Sequence, residues 1–263
     1  MSEPQVTTRP IAGLQIGSSV VGEGPPVVAL HGWGGSVQSF WPVAERLAPL
    51  GYQVHLLDLP GFGQSEVPPQ AWGVADYARL VLAYLIEAGL ERVPVLGHSF
   101  GGRIALVLAA EQPERVSRMV LADSAGLRTP PTLGQATRHT LARTAQQSLT
   151  ALGLSGLRDR LQARYAARYA SEDYRSAGPL RETFLRVIGE ALTPYAQRIT
   201  CPTVLIWGAN DTDTPLWQGR KLEQLIPDAG LIVFEGAGHF AYLERLNDYI
   251  RIVDHFLSSE GRA

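Results

Sequence analysis

Short, unbroken apolar runs alternate along this chain with longer stretches in which apolar residues recur every three to four positions. The runs at 26–30 (PVVAL), 53–57 (QVHLL), 93–96, 116–122, 203–207 and 231–234 each end at a turn rich in glycine or aspartate. Continuous apolar runs of that length suit strands covered on both faces, as in a parallel sheet. The helical period appears at 37–48, 74–88, 101–111, 216–225 and 246–257, with Pro113 and Pro227 placed where helices should stop. The alternation predicts an α/β fold: a mostly parallel, twisted, doubly wound sheet with helices on both faces. Residues 14–21 add an antiparallel hairpin or an edge strand.

One stretch breaks the pattern. Residues 129–197 contain no good strand and favour helix, as in 157–169 (LRDRLQARYAARY). Because the stretch lies between two core strands, it is expected to be a helical cap inserted into a core made of 1–128 and 198–263. Residues 128–198 hold eleven arginines against five acidic residues, Asp159, Glu172, Asp173, Glu182 and Glu190. That is either a solvated arginine-rich face or a surface that meets an anionic substrate or an acidic carrier protein.

Composition narrows the class. A formal charge of −2 over 263 residues gives no global pull toward nucleic acid or an anionic membrane. No apolar stretch approaches membrane-spanning length, and the N-terminus has no apolar run behind Arg9, so it does not read as a secretory signal. The single cysteine, Cys201, excludes an internal disulfide. A cytoplasmic location is the expectation. Lys221 is the only lysine among the basic residues; a GC-rich genome accounts for that.

The chemistry concentrates in three glycine-flanked loops. Gly97-His98-Ser99-Phe100-Gly101-Gly102 follows a strand and opens a helix. A G-x-S-x-G sequence there puts the serine on a sharp turn with its hydroxyl above the sheet, and the helix N-terminus behind it favours developing negative charge. Ser99 is therefore the expected nucleophile. It needs a base, and His239 follows Gly236-Ala237-Gly238 after the last strand. Asp211 follows the strand at 203–207 and is the expected orienting acid; Asp213 and Asp123, each at a strand end, are the rival carboxylates. The chain order Ser, Asp, His and the placement at strand carboxyl ends agree with one site. His31-Gly32-Trp33-Gly34-Gly35 follows the first parallel strand, and the backbone N–H groups of Trp33 and Phe100 are expected to form an oxyanion hole. His31 is expected to brace its loop; His55 and His255 read as structural, His139 as a surface residue and Cys201 as buried. No C-x-x-C, H-E-x-x-H or Walker sequence is present, so neither a metal nor an organic cofactor is expected.

These motifs, with Asp58-Leu59-Pro60-Gly61-Phe62-Gly63, Pro113-Glu114-Arg115-Val116 and Trp207-Gly208-Ala209-Asn210-Asp211, resemble the α/β-hydrolase family from about 26 to 257. The resemblance implies that fold, the Ser99–His239–Asp211 triad and a cap over the site. It is specific for scaffold and triad but not for substrate. The aspartate nucleophile of haloalkane dehalogenases and epoxide hydrolases is absent, since Ser99 stands there. The expectation is a carboxylesterase cleaving small esters, with short acyl chains preferred. His31-Gly32-Trp33-Gly34 and His55-Leu56-Leu57-Asp58 also resemble the pimeloyl-acyl-carrier-protein methyl ester esterases, in which tryptophan and leucine replace His98 and Phe100. Carbon–carbon bond hydrolases of aromatic catabolism share the scaffold and usually carry tryptophan at the position of Phe240. Carrier-linked methyl ester or carbon–carbon hydrolysis thus stands as the alternative.

Overall fold

The computed structural model describes residues 3–127, 156 and 175–258. Eight strands form one sheet: β1 (Thr7–Ile11), β2 (Leu14–Val21), β3 (Pro26–Leu30), β4 (Gln53–Leu57), β5 (Val93–His98), β6 (Val116–Ala122), β7 (Thr203–Gly208) and β8 (Ala229–Phe234). Their order is β1-β2-β4-β3-β5-β6-β7-β8. β1 pairs antiparallel with β2 and β2 with β4, while every later pairing is parallel. The helices are α1 (Val37–Leu47), α2 (Val74–Glu87), α3 (Phe100–Glu111), α4 (Arg181–Gly189), α5 (Thr193–Ala196) and α6 (Trp217–Leu225) between strands, and α7 (Ala241–Glu244) and α8 (Leu246–Ser258) after β8.

The apolar runs are continuous because both faces of the sheet are covered. Val28, Leu30, Leu205 and Trp207 pack on one side with α2, α3 and Leu222 of α6. Val27, Ala29 and Ile206 point the other way, into a second core with α1 and α8. Alternate strand residues thus feed two cores, and neither face needs polar residues. The six parallel-type runs appear as strands β3 to β8, the last beginning two residues earlier than its apolar run. The 14–21 segment pairs on both sides, so it is interior; the edge is β1, whose alternation is too polar (TTRPI) to announce a strand. α7 is a single turn between two loops, too short for a periodic signal.

Packing divides the chain into two compact units, Met1–Leu127 with Glu182–Ala263, and Arg128–Arg181. Most of the expected cap, 129–155 and 157–174, lies outside the described residues. Residues 182–197 group with the larger unit. Phe184 and Val187 are buried on α4, and the Leu192 N–H donates to the Gly126 carbonyl at 2.9 Å. Arg103 of α3 donates through its guanidinium to the carbonyls of Val187 and, at 2.6 Å, of Glu190. A cation at the C-terminal end of α4 meets the carbonyls of its last turn and suits the negative end of the helix dipole. No described helix is long and apolar enough to cross a membrane.

Candidate active site

The site is assembled on the carboxyl edge of β3, β5, β6, β7 and β8. Ser99 lies between β5 and α3 with φ 48° and ψ −106°, a left-handed conformation that a non-glycine residue adopts only under constraint. The constraint is visible. Its N–H donates to the Ala122 carbonyl at 3.1 Å, and its own carbonyl accepts from Arg103 and Ala125 at 3.3 and 3.1 Å. A Cβ at Gly97 would come within 2.9 Å of the Gly101 backbone, and one at Gly101 within 2.0 Å of the Leu30 carbonyl oxygen. The glycines flanking the serine are thus demanded by backbone contact.

Ser99 Oγ lies 3.1 Å from His239 Nε2, and His239 Nδ1 lies 2.9 Å from Asp211 Oδ2. The three expected residues therefore form one hydrogen-bonded chain. Asp211 is held in turn: Oδ1 accepts from the N–H groups of Asp213 and Thr214 at 2.8 and 3.0 Å, and Oδ2 lies 2.6 Å from the Thr214 hydroxyl. The Trp207 indole donates to the Thr214 carbonyl at 2.6 Å, tying this loop to the core. Asp213 contributes its main-chain N–H to the loop, and its side chain is exposed.

The electrostatics follow from this chain. Burial alone would push the Asp211 carboxyl up, but hydrogen bonds from His239 and Thr214 hold it below the usual carboxylate range. Burial would likewise lower His239; the hydrogen bond and charge of Asp211, helped by Asp123 and Asp213, raise it above the usual imidazole value. With Nδ1–H donating to Asp211, the neutral imidazole leaves Nε2 free to accept a proton from the serine. Asp211, Asp213 and His239 also place possible ligand atoms within 4.8 Å of one another. Both ring nitrogens of His239 are already engaged, however, which favours proton transfer over metal binding.

The His239 loop is fixed on every side. Gly238 N–H donates to the Glu244 carboxylate at 3.0 Å, and the His239 carbonyl accepts from His98 Nε2 at 2.8 Å. The Asn210 N–H donates to the Ala237 carbonyl at 2.9 Å, so the acid and base loops also touch directly. His98 is buried and neutral, its pKa lowered to about 3 by burial and by the neighbouring His239. The sequence pattern had treated His98 only as a variable motif position.

The two segments that carry the expected oxyanion donors both border the serine. Phe100 opens α3, so its N–H has no acceptor within the helix. The turn carrying Trp33 runs close by, since a Cβ on Gly32 would sit 3.4 Å from Ser99 Cβ and 2.8 Å from His98 Nδ1. The Trp33 ring packs edge-on against Phe62, Phe100 and Phe184 at centroid distances of 4.9, 5.3 and 5.0 Å. Phe240, beside His239, is half exposed, whereas Phe40 is core and stacks on Tyr242.

His31 does brace its loop: Nε2 accepts from the Leu59 N–H at 3.0 Å while Nδ1 faces the Gly32 carbonyl at 2.7 Å. Asp58 accepts from Val37 and Gln64 N–H groups at 2.6 and 2.7 Å. Asp123, the rival acid, is turned away from the imidazole nitrogen and toward backbone: its carboxylate accepts from Gly208 N–H at 2.8 Å and Ala241 N–H at 3.1 Å.

An eight-stranded sheet of this order, with a serine on the strand–helix turn after β5, defines a hydrolase scaffold. The chain matches the model of the alpha/beta hydrolase fold over residues 25–246 and belongs to that family. It is 33% identical over 258 residues to the pimeloyl-[acyl-carrier protein] methyl ester esterase of Chromobacterium violaceum, covering 92% of this chain and 97% of that protein. It is 31% identical over 256 residues to a 2-hydroxy-6-oxononadienedioate/2-hydroxy-6-oxononatrienedioate hydrolase of Cupriavidus pinatubonensis, covering 89% and 86%. Among solved structures, a meta-cleavage product hydrolase from Pseudomonas fluorescens is 25% identical with a TM-score of 0.74, covering 97% of this chain and 98% of that one.

Proposed function

We propose that this protein cleaves carboxylic esters through an acyl group carried on Ser99. The observation that carries the reading is the continuous hydrogen-bonded chain from Ser99 Oγ through His239 to Asp211, set at the carboxyl edge of the sheet. Ser99 attacks the ester carbonyl carbon as His239 Nε2 takes its proton. The negative oxygen of the tetrahedral intermediate is met by the N–H groups of Trp33 and Phe100. His239 then returns the proton to the departing alcohol, and the acyl-enzyme remains. Water, deprotonated by the same nitrogen, attacks the acyl carbon and releases the acid. Asp211 holds the imidazole in the required tautomer and supports its positive charge throughout. No step calls on a metal or an organic cofactor.

The aromatic wall of Trp33, Phe62, Phe100 and Phe184 beside the serine supports a small apolar acyl group. Turnover of nitrophenyl esters from acetate to palmitate tests this: activity falling with chain length agrees, and a maximum at long chains with activation at an oil–water interface overturns it. A second reading has its own support. The relative at 33% identity is named for a carrier-linked methyl ester, and residues 128–198 hold eleven arginines against five acidic residues. An acidic carrier would be recognised electrostatically, so turnover of a carrier-linked ester should fall steeply with salt while that of a neutral ester does not. Carbon–carbon cleavage rests on the relatives named for it; loss of absorbance from a dienoate ring-cleavage product, with no nitrophenyl ester turnover, would favour it.

A further inference from the structure

Asp123 lies beside the site, and the reaction above gives it no step. Its side chain is fully buried, and its backbone takes φ 44°, the left-handed region that costs a non-glycine residue energy. Burial pushes its carboxyl up to about 8, against the pull of the backbone N–H groups and His239. A buried carboxylate and a strained backbone together are a costly way to end a strand. What they obtain is a bridge. One carboxylate oxygen accepts from Gly208, where β7 gives way to the loop carrying Asp211. The other accepts from Ala241, two residues beyond His239. The Asp123 carbonyl oxygen lies 3.0 Å from the Thr214 hydroxyl, which lies 2.6 Å from Asp211 Oδ2 and 3.4 Å from His239 Nδ1. Other described neighbours of the imidazole are the exposed Asp213 and the rings of the neutral His98 and of Phe240, and no side chain among them joins the two loops.

The two oxygens of a carboxyl group suit this bridge as an amide does not. Both N–H groups need an acceptor, and asparagine offers one oxygen and one donor nitrogen in that geometry. We propose that Asp123 is a positioning residue: with the Thr214 hydroxyl it locks the loop of Asp211 to the loop of His239, holding the hydrogen-bonded chain to Ser99 in reacting geometry. This rests on the serine-hydrolase reading and adds to it a residue that touches neither substrate nor reacting atoms.

The test separates positioning from mere folding. Active sites are counted by complete reaction with a fluorophosphonate, in which Ser99 oxygen bonds phosphorus, fluoride leaves and His239 takes the proton. The kcat and KM for nitrophenyl acetate are then expressed per titrated site. Asp123→Asn is expected to lower kcat per site by about ten- to a hundredfold with KM held within about twofold, the signature of a contact that matters in the transition state. Thr214→Val should lower kcat per site in the same direction by about tenfold, and Thr214→Ser should restore most of it. The double variant should lose less than the product of the two single losses, as members of one clamp do. If Asp123→Asn does not fold, the Thr214 pair decides. A kcat per site within about twofold of the parent in Asp123→Asn or Thr214→Val, or a change confined to KM, overturns the proposal. Ser99→Ala in the same assay tests the underlying reading separately: its retaining turnover would remove the serine mechanism, whatever Asp123 does.

Discussion

Two histidine–aspartate pairs stand on the same edge of the sheet and do different things. At the ends of β3 and β4, His31 and Asp58 are consumed by backbone: His31 by Leu59 and Gly32, Asp58 by Val37 and Gln64. At the ends of β7 and β8, Asp211 Oδ1 accepts from two backbone N–H groups, but both ring nitrogens of His239 meet side chains, Nδ1 the Asp211 carboxylate and Nε2 the Ser99 hydroxyl. The electrostatics divide accordingly. Burial lowers His31 to about 4, so it stays neutral, while the Asp211 partner overcomes burial and raises His239. What separates a brace from a base here is that the main chain claims both ring nitrogens of His31 and neither of His239.

The comparison breaks most visibly at the serine. Ser99→Ala should keep the fold and lower kcat by about 10⁵- to 10⁶-fold, as loss of a nucleophile does in related chemistry; near-parental turnover of nitrophenyl acetate would show that Nε2 has no task. Asp211→Asn should cost about 10⁴-fold in kcat, because the amide admits the wrong tautomer. The same variant should move the acid limb of kcat/KM to lower pH. In the parent that limb should inflect above the ordinary imidazole value, since the base must be neutral and its pKa is raised.

The bracing pair should respond in stability. Asp58→Asn leaves either the buried Val37 N–H or the part-buried Gln64 N–H short of an acceptor, so a loss of about 1–3 kcal/mol in unfolding free energy is expected, with kcat per titrated site unchanged. Denaturant titration alongside the esterase assay checks this, and a fall in kcat at full stability would erase the distinction between the pairs. A separate effect is in pH. His31, His55 and His98 are held down to about 4, 4 and 3, chiefly by burial, and unfolding releases them to the ordinary value near 6.5. These three rings leave the unfolded chain with more protons between about pH 4 and 6.5; Asp123, whose carboxyl is raised to about 8 in the folded chain, offsets about one of them, so stability should still rise with pH across that window. Each fully titrating histidine adds about 1.4 kcal/mol per pH unit. A flat stability from pH 5 to 7 would mean that the braces are not buried neutral rings.

Much of this was legible in the sequence, for reasons that can be named. The two-sided core writes itself as unbroken apolar runs, so β3 to β8 were readable. The elbow was readable because close backbone contact forces Gly97 and Gly101 to be glycine. Asp211 and His239 were readable because each follows a strand in the expected order. What stayed hidden depends on contacts distant in sequence. Asp123 reaches Gly208 and Ala241, His98 reaches the His239 carbonyl, and Thr214 reaches Asp123. A hydrogen bond across eighty or more positions leaves no local pattern. β1 was missed because an exposed edge strand can be polar, and residues 182–197 because their helical periodicity is the same whether they belong to an insertion or to the core.

The moorings on either side of residues 128–181 have an evolutionary consequence. The chain departs just after Gly126, whose carbonyl holds Leu192, and it is secured on return by the Arg103 guanidinium at Val187 and Glu190. Both attachment points are thus fixed by atoms of the larger unit. A segment that leaves and rejoins a host chain already held by its own contacts can change length at little cost, because loop closure depends only weakly on length. Recombination could exchange the whole of 128–181 between lineages without disturbing the elbow or the two histidine–aspartate pairs.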